Sequence, residues 1–412
     1  MKRAIGLALL VGTVLYGALS SGFSLYFHLA YLLVGALAAG ALWAFWNLRS
    51  LEARVERRTL NAQVDGLIEG HISVRNLSRI PKPWLEVQEL GDMPGHASGR
   101  VVALGAQDSR AWMVRTICQQ RGVFTLGPLQ VTSSDPLGLF RFTRRFSKTT
   151  SVVVYPATLP LPYLRLPLSH LVGDESMRRR AQQMTPLAAS VREYVHGDAV
   201  NRIHWPTTAR MGKLMVKEFD LGLSMNLWIL LDLEASVQAG QGPDSTEETA
   251  VTIAASVARK YSDMGLPVGL AAEGERSYLV ASDSSPSHLH HVLEELARVR
   301  ATGRTPLENT LGQVERHLGR YSTLLIITPS PRDDWLKALP DLRRRGVRVA
   351  LVLLDRASFS DNGREPPPQT AAVQSGLPVF TVRRGQPLED ALRTYAAPGS
   401  VGLRSGAEVA WR

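Results

Sequence analysis

The sequence predicts a multi-domain chain with three structured parts: an N-terminal transmembrane helical hairpin, a small antiparallel β-sandwich and a doubly wound α/β domain. Three observations indicate this order. A charge-free apolar run covers residues 4–46, short β-branched segments follow, and strand-like and helix-like segments then alternate. The predicted limits are 1–48 for the two helices, 49–62 for a basic juxtamembrane linker, 63–158 for the sandwich, 159–224 for a connecting segment, 225–400 for the α/β domain and 401–412 for a tail.

The apolar run is too long for one transmembrane helix. At 1.5 Å per residue, roughly forty helical residues would measure about 60 Å, which is twice the ~30 Å hydrocarbon core. A break at Ser20-Ser21-Gly22 divides the run into two spans. Lys2 and Arg3 precede the first span and several arginines follow the second, so we expect a two-pass membrane protein with both termini in the cytoplasm. The alternative is a signal peptide cleaved near Ala18-Leu19-Ser20, although the second span would still anchor the chain.

Charge and cysteine content exclude several classes of function. The single cysteine, Cys118, excludes an intramolecular disulfide and a zinc-thiolate site. The net charge of +10 suits either nucleic acid or anionic lipid. Basic residues gather beside the apolar run and form no stripe interleaved with aromatic residues, so we expect the lipid bilayer, and not nucleic acid, as the partner.

Residues 63–158 read as short strands. Segments such as HISVRNL, WLEVQEL and SVVVYP are rich in β-branched residues and partly alternate between apolar and polar positions. The stretch from Asp135 to Phe140 contains Pro and Gly and reads as a turn. Nothing in this part resembles catalytic machinery, so we expect a spacer or an interaction module.

From residue 225 the apolar segments LWILLDLE and STLLIITPS alternate with helical segments such as STEETAVTIAASVARKYSDMG. This alternation predicts a mainly parallel sheet with helices on both faces, and ligands of such sheets bind at the carboxyl ends of the strands. Asp232 stands at such an end.

The segment Asp232-Leu233-Glu234-Ala235-Ser236 resembles the Asp-x-Ser-x-Ser opening of von Willebrand factor A domains. The resemblance implies a magnesium site made by Asp232, Glu234, Ser236 and a later threonine, for which Thr305 is the match. The match is degenerate, because Glu234 replaces a hydroxyl and Asp333 lies beyond the end of its strand. We therefore expect weak or no magnesium binding and no other cofactor, and an acidic helix cap or turn is the alternative interpretation.

The stretch VREYVHGDAVNRIHWPTTARMGKLMVKEFD, residues 191–220, is dense in charged and aromatic side chains. It is open to three interpretations: a catalytic site, a structural joint or a docking surface. It contains no nucleophile elbow, zincin pair, phosphate loop or dinucleotide fingerprint, which argues against an enzyme. The candidate partner-binding or interdomain residues are Arg192, Glu193, Asp198, Arg202, Trp205 and Arg210.

We expect different orientations within this set. Asp198 is predicted to cap a helix, and Asp198 and Trp205 are expected to be anchored inside the fold. Arg202 and Arg210 are expected to face outward, because a guanidinium presents a bidentate fork to a partner.

The same stretch resembles the defining motif of a bacterial family of unknown function, DUF58. The matching residues are Arg192-Glu193-Tyr194, Gly197-Asp198, Arg202-Ile203, Trp205, Ala209-Arg210, Lys213-Leu214 and Glu218-Phe219, and His204 stands where the family usually has an acidic residue. The resemblance implies a bacterial inner-membrane protein that works with a MoxR-type AAA+ ATPase. We expect a membrane-anchored, non-enzymatic adaptor or scaffold. The alternative is a metal-dependent hydrolase or other enzyme that uses Asp232 and the 191–220 stretch.

Overall fold

The computed structural model describes residues 2–168, 188–195, 203–219, 225–360 and 368–395, and the chain divides into two compact units between Tyr155 and Pro156. The elements of the first unit are α1 (Lys2–Ser21), α2 (Ser24–Asn47), β1 (Leu51–Arg57), β2 (Asn61–Gln63), β3 (Leu67–Asn76), β4 (Lys82–Gly91), β5 (Arg100–Leu104), β6 (Ser109–Ile117), β7 (Gly122–Ser134), β8 (Arg141–Phe146) and β9 (Thr150–Tyr155).

The first unit begins with two consecutive apolar helices. Gly22, at a φ of 63°, lies in the predicted break between them. The helices approach closely at Gly17, where an added Cβ would lie 3.2 Å from Cδ1 of the Tyr26 ring. Among the described residues, α2 is the one helix whose length and composition suit a membrane crossing, while α1 contributes the shorter apolar stretch Leu10–Ser20. The first unit thus has one candidate span near the N-terminus.

Two β-sheets follow the helices. β1, β3 and β6 form a three-stranded sheet, while β2, β9, β7, β4 and β5 form a second sheet in that order, with β8 paired to β7. All pairs are antiparallel except β2 with β9. Ile72 and Val74 of the smaller sheet pack against Leu85 and Val131 of the larger one in a single buried cluster. The architecture is the expected sandwich.

The predicted juxtamembrane linker, residues 49–62, is wrong. These residues form β1 and β2, and β1 pairs along its whole length with β3. Leu51 and Ala53 are buried in the sandwich core, and the alternate residues Glu52 and Arg54 face outward. The sequence therefore contains the alternation of apolar and charged residues that builds β1, although the charged positions suggested a solvated linker.

The last turns of α2 are bonded to the larger sheet. Asn47 Nδ2 donates to Ser133 Oγ at 3.3 Å, and the Phe45 and Phe142 rings meet edge to face with centroids 5.9 Å apart. The Arg144 guanidinium donates to the Leu48 carbonyl at 3.1 Å. The helix and the sandwich are therefore joined by packing as well as by the chain.

The elements of the second unit are β10 (Ala188–Glu193), α3 (Trp205–Met211), β11 (Met215–Phe219), β12 (Leu227–Leu231), α4 (Thr246–Asp263), β13 (Val268–Glu273), β14 (Ser277–Asp283), α5 (His288–Arg298), α6 (Leu307–Val314), β15 (Thr323–Thr328), α7 (Leu339–Arg344), β16 (Arg348–Leu354), α8 (Arg356–Phe359), α9 (Gln369–Gln374), β17 (Val379–Val382) and α10 (Leu388–Ala391). Its main sheet has the order β14-β13-β12-β15-β16-β17 and is parallel except for β14.

Helices cover both faces of this sheet, as predicted. Trp228 and Leu230 of β12 face a cluster that includes Leu311 of α6 and Leu339 of α7. The buried helix α4 packs on β12, β13 and β15. The chain leaves β12 toward β13 and returns through β15 on the other side, so the order of the strands reverses between β12 and β15.

Two parts of the predicted connecting segment belong elsewhere. Residues 159–168 pack onto the α/β unit, where Lys260 Nζ donates to the carbonyls of Leu161 and Leu164 at 2.6 and 2.7 Å. β11, which also lies in the predicted connecting segment, pairs with β10 in a separate two-stranded sheet. The pairing with β10 satisfies backbone N–H and C=O groups of β11, which therefore needs no partner strand in the main sheet.

Candidate functional site

A polar cluster lies at the carboxyl end of the main sheet, where the strand order reverses. Asp232 directly follows β12, and Thr328 ends the adjacent strand β15. Open α/β sheets bind their ligands at this position. The sequence placed Asp232 at a strand end, and the topology places it at the switch point.

The Asp232 carboxylate is buried and fully engaged by its own chain. Its Oδ1 accepts the Glu234 N–H at 3.1 Å, and its Oδ2 accepts the Thr328 hydroxyl at 2.6 Å. Burial raises the pKa of Asp232 to about 6, because removal from water outweighs the stabilising hydrogen bonds from Thr328 and the Glu234 backbone. Asp232 therefore titrates near neutral pH.

Glu234 holds the outer part of the cluster together. Its carboxylate accepts the Ser236 hydroxyl on one oxygen and pairs with the Arg332 guanidinium on the other. The arginine reaches this place because Ser330 Oγ accepts the Arg332 N–H at 3.3 Å and the Arg332 carbonyl accepts Trp335 Nε1 at 2.8 Å. We call Asp232, Glu234, Ser236, Thr328 and Arg332 the switch-point cluster.

The carboxylates of this cluster are paired with groups of the chain itself. Arg332 supplies the positive charge that Glu234 would otherwise take from a metal, and both oxygens of Asp232 already accept hydrogen bonds. Gly303 bridges to Glu234 through the backbone, so the loop that contains Thr305, two residues further on, lies near the cluster. Thr305 itself is half-buried and lies outside the hydrogen-bonded network of the cluster. Within the described parts of the chain, no group of three His, Cys, Asp or Glu gathers in a metal-binding arrangement.

Sequence reasoning did not include Thr328 and Arg332 among the site residues. It expected an acidic residue after β15, and Asp333 instead precedes a 3₁₀ turn over Asp334–Ala338. The overlooked signal was the arginine in Thr-Pro-Ser-Pro-Arg, the segment that follows the buried strand β15. A buried carboxylate in the Asp-x-Glu segment is stabilised by such a cation.

The second candidate surface is the hairpin lobe, which we define as residues 188–195 and 203–219. β10 and β11 pair antiparallel, and Ile203 adds an isolated bridge to Val216. Ile203 and Val216 are both buried and form a small core. Met215 N–H donates to Thr208 Oγ1 at 3.0 Å and fastens α3 to β11.

Local signals explain the short helix α3. The His204 side chain accepts the Thr207 N–H at its start, Pro206 occupies its first turn, and Gly212 ends it at a φ of 66°. Proline is tolerated in the first turn of a helix, where no backbone donor is needed.

The predicted residues of the lobe fall in different places. Trp205 was expected to be anchored in the fold, yet it is 61% exposed. Arg210 is exposed as predicted, and Glu193 is exposed and pairs with Lys213 at 3.3 Å. Arg192 lies in β10 opposite Val216, while Asp198 and Arg202 lie outside the described residues.

Large apolar side chains are exposed on this lobe. More than half of the surface is exposed for Val195, Trp205 and Met211, and nearly half for Leu214. The Tyr194 N–H donates to the Leu214 carbonyl at 2.9 Å, so Val195 and Leu214 lie at the same end of the hairpin. Exposed Trp, Met and Arg side chains are enriched in protein interfaces.

Comparison with known proteins finds a family model that matches part of the chain. Residues 190–360 match the model of a family described as "Protein of unknown function DUF58". The uncharacterized protein YeaD of Bacillus subtilis is 26% identical over 363 residues, which cover 85% of this chain and 87% of that protein. The uncharacterized protein Rv1480 of Mycobacterium tuberculosis is 26% identical over 169 residues, which cover 40% of this chain and 53% of that protein.

A solved structure of the CARDB domain of the PF1109 protein from Pyrococcus furiosus aligns with 18% sequence identity and a TM-score of 0.21, over 25% of this chain and 91% of that chain. A likeness at this level carries no argument about function. The family resemblance predicted from the 191–220 motif is confirmed by the family match.

Proposed function

Because residues 190–360 are a DUF58 family region, we propose that this chain is a membrane-anchored, non-enzymatic adaptor that presents the hairpin lobe to a protein partner. The observation that carries the proposal is the exposed apolar set on that lobe, centred on Trp205 at 61% exposure. Hot spots of interfaces are rich in Trp and Arg, and both types are exposed here within one short helix.

The proposed anchor is the pair α1 and α2, crossing the inner membrane of a bacterium twice with both termini in the cytoplasm. The apolar composition of α2 and the basic residues before α1 and after α2 support this topology. The sandwich and the α/β unit would then both lie on the cytoplasmic side, where an ATPase partner has access to the lobe.

The α/β unit is proposed to be von Willebrand factor A-like, with its cation replaced. Support comes from the Asp-x-Glu-x-Ser segment at the switch point and from Arg332, whose guanidinium stands against Glu234. Each carboxylate oxygen of Asp232 already accepts a hydrogen bond from the chain itself. This supports a binding role for the α/β unit over an enzymatic role for Asp232. The proposed partner is a MoxR-type AAA+ ATPase, as the family resemblance implies.

The test is co-purification of the tagged full-length protein in mild detergent, with thermal unfolding of each variant. Trp205→Ala and Arg210→Ala should each lose the ATPase while the melting temperature stays unchanged. Loss of one hot-spot side chain costs about 2 kcal/mol, which is roughly a thirtyfold loss of affinity.

A matched pair of methionines supplies the control. Met211 on the lobe is 65% exposed, and Met264 at the end of α4 is 60% exposed. Met211→Ala should weaken the association and Met264→Ala should not. If every variant keeps the ATPase, or if the lobe variants unfold early, the lobe is a structural joint and the docking proposal fails.

A further inference from the structure

The turn between β7 and β8, residues Asp135–Phe140, is apolar and lies against α2. From Pro136 to Phe140 it carries no polar side chain, and Leu137 is 67% exposed. An apolar cleft separates the turn from the helix and is lined by Ala36, Gly40, Trp43, Pro136, Leu137 and Phe140. Gly40 permits the approach, since a Cβ there would lie 3.5 Å from the Asp135 Cβ.

Most backbone donors of this turn are bonded within it. The Asp135 N–H donates to the Phe140 carbonyl at 3.2 Å, and the buried Asp135 carboxylate accepts the N–H of Leu137 at 3.0 Å and the N–H of Phe140 at 2.6 Å. The Gly138 N–H donates to the Asp135 carbonyl at 2.9 Å, and Pro136 has no N–H to satisfy. Each donor bonded in this way lowers the cost of moving the turn out of water.

The position along α2 sets the depth of the turn. The cleft runs from Trp43 to Ala36, seven residues earlier, which corresponds to about 10 Å along the helix axis. Trp43 and Trp46 belong to the aromatic type that settles at the membrane interface. The turn therefore extends past the interfacial residues of α2 toward its apolar middle.

Basic residues follow the turn at the level where lipid headgroups would lie. Arg141, Arg144 and Arg145 of β8 are all exposed. Arginines at this level attract anionic headgroups, while their alkyl stems cover apolar surface.

We propose that the β7–β8 turn inserts Leu137 into the apolar layer of the bilayer beside α2, as a second membrane contact of the chain. The partner is lipid: an apolar tip, backbone donors that are mostly bonded within the turn and exposed arginines beside it fit the bilayer from its core outward. The inference rests on α2 being the membrane span of the proposed function.

The experiment uses full-length protein reconstituted alone into vesicles of phosphatidylcholine and phosphatidylglycerol, so that no protein partner is present. Single cysteines carry a nitroxide in a Cys118→Ala background. Leu137→Cys reports on the turn and Leu32→Cys on the exposed middle of α2. Leu67→Cys is the matched aqueous control, because Leu67 is also an exposed leucine, at 53%, and begins β3 at the end opposite the α2 junction. Collision of each nitroxide with oxygen, which concentrates in lipid, is compared with collision with a water-soluble nickel chelate.

We expect the ratio of oxygen to nickel accessibility at Leu137 to match that at Leu32 and to exceed that at Leu67 several-fold. If Leu32 lies in lipid while Leu137 behaves like Leu67, the insertion is overturned and the anchor stands. If Leu137 is shielded from both reagents, the cleft is closed by protein and the insertion is also overturned. If Leu32 itself is in water, the proposed anchor fails and the insertion fails with it.

Discussion

Asp232→Asn should make the α/β unit more stable at neutral and alkaline pH. The carboxylate is buried, and burial raises its pKa to about 6 from the ordinary 3.8. A raised carboxyl pKa means that the folded protein binds the proton more tightly than the unfolded chain does. The stability contributed by this group is therefore greatest below pH 3.8, falls as the pH rises toward 6, and stays low above it.

The magnitude follows from the shift. About two pKa units at about 1.36 kcal/mol each amount to roughly 3 kcal/mol of unfavourable charge burial above pH 6. Asparagine removes the charge and keeps the shape: its oxygen can accept the Glu234 N–H, and its amide can donate to Thr328 Oγ1. A gain of about 3 kcal/mol is the upper value, and it corresponds to roughly 6–12 °C in the melting temperature of a unit of this size.

Calorimetry of the full-length protein in detergent at pH 8, 5 and 4 measures this gain, and hydrogen exchange of β12 and β15 assigns the transition. The gain should fall to about half at pH 5 and nearly vanish at pH 4, because the wild-type carboxyl is then protonated. Asp333→Asn is the matched control, since it removes the same charge from the same edge at an exposed position. An equal gain at every pH, or a loss at pH 8, would refute the reasoning.

Three further predictions concern other parts of the chain. Titration calorimetry with magnesium should show weak or no binding, and Arg332→Ala should increase it by freeing Glu234; tight binding to the wild type would show that the arginine does not replace the ion. Glu89→Gln should cost about 3–5 kcal/mol in urea unfolding at pH 7, because it breaks the buried ion pair between Glu89 of β4 and Arg57 of β1. Burial alone would raise the pKa of Glu89, but hydrogen bonds from a histidine and an arginine hold the pKa below its ordinary value of 4.5. The difference in unfolding free energy between wild type and variant should therefore disappear as the pH falls below 4.5. A difference that stays constant with pH would contradict the pairing. An impermeant thiol reagent should label Phe23→Cys from outside the cell and not Arg54→Cys, and the reverse pattern would invert the proposed topology.

The main sheet could be predicted because its signals are local. The run LWILL is apolar at every position, and all five residues are buried in β12. The strand β1 was missed because Arg54, Arg57 and Arg58 suggested a basic linker beside the membrane, whereas Leu51 and Ala53 face the core only once β3 is in place. The charged residues of β1 do not indicate that this strand pairs with β3, further along the chain.

The candidate site could be predicted only in part, for the same reason. Asp232 and Glu234 stand out as acidic residues at a strand end. Their partners are remote: Thr328 is 96 residues from Asp232, and Arg332 is 98 residues from Glu234. Trp205 shows a different limit, since a tryptophan suggests a buried anchor by its type, whereas its exposure depends on which other parts of the chain pack against it.

The direct junction between α2 and β1 has a mechanical consequence. Only Leu48–Ser50 separate the two elements, and β1 continues for seven residues, or about 23 Å at 3.3 Å per residue. Spanning helices tilt by about 0–40° from the bilayer normal, and tilting is one way in which a long apolar helix adapts to a thinner bilayer. With α2 in a bilayer, a tilt of about 10° would swing the far end of β1 sideways by about 4 Å, so the sandwich acts as a lever arm that turns bilayer thickness into lateral displacement.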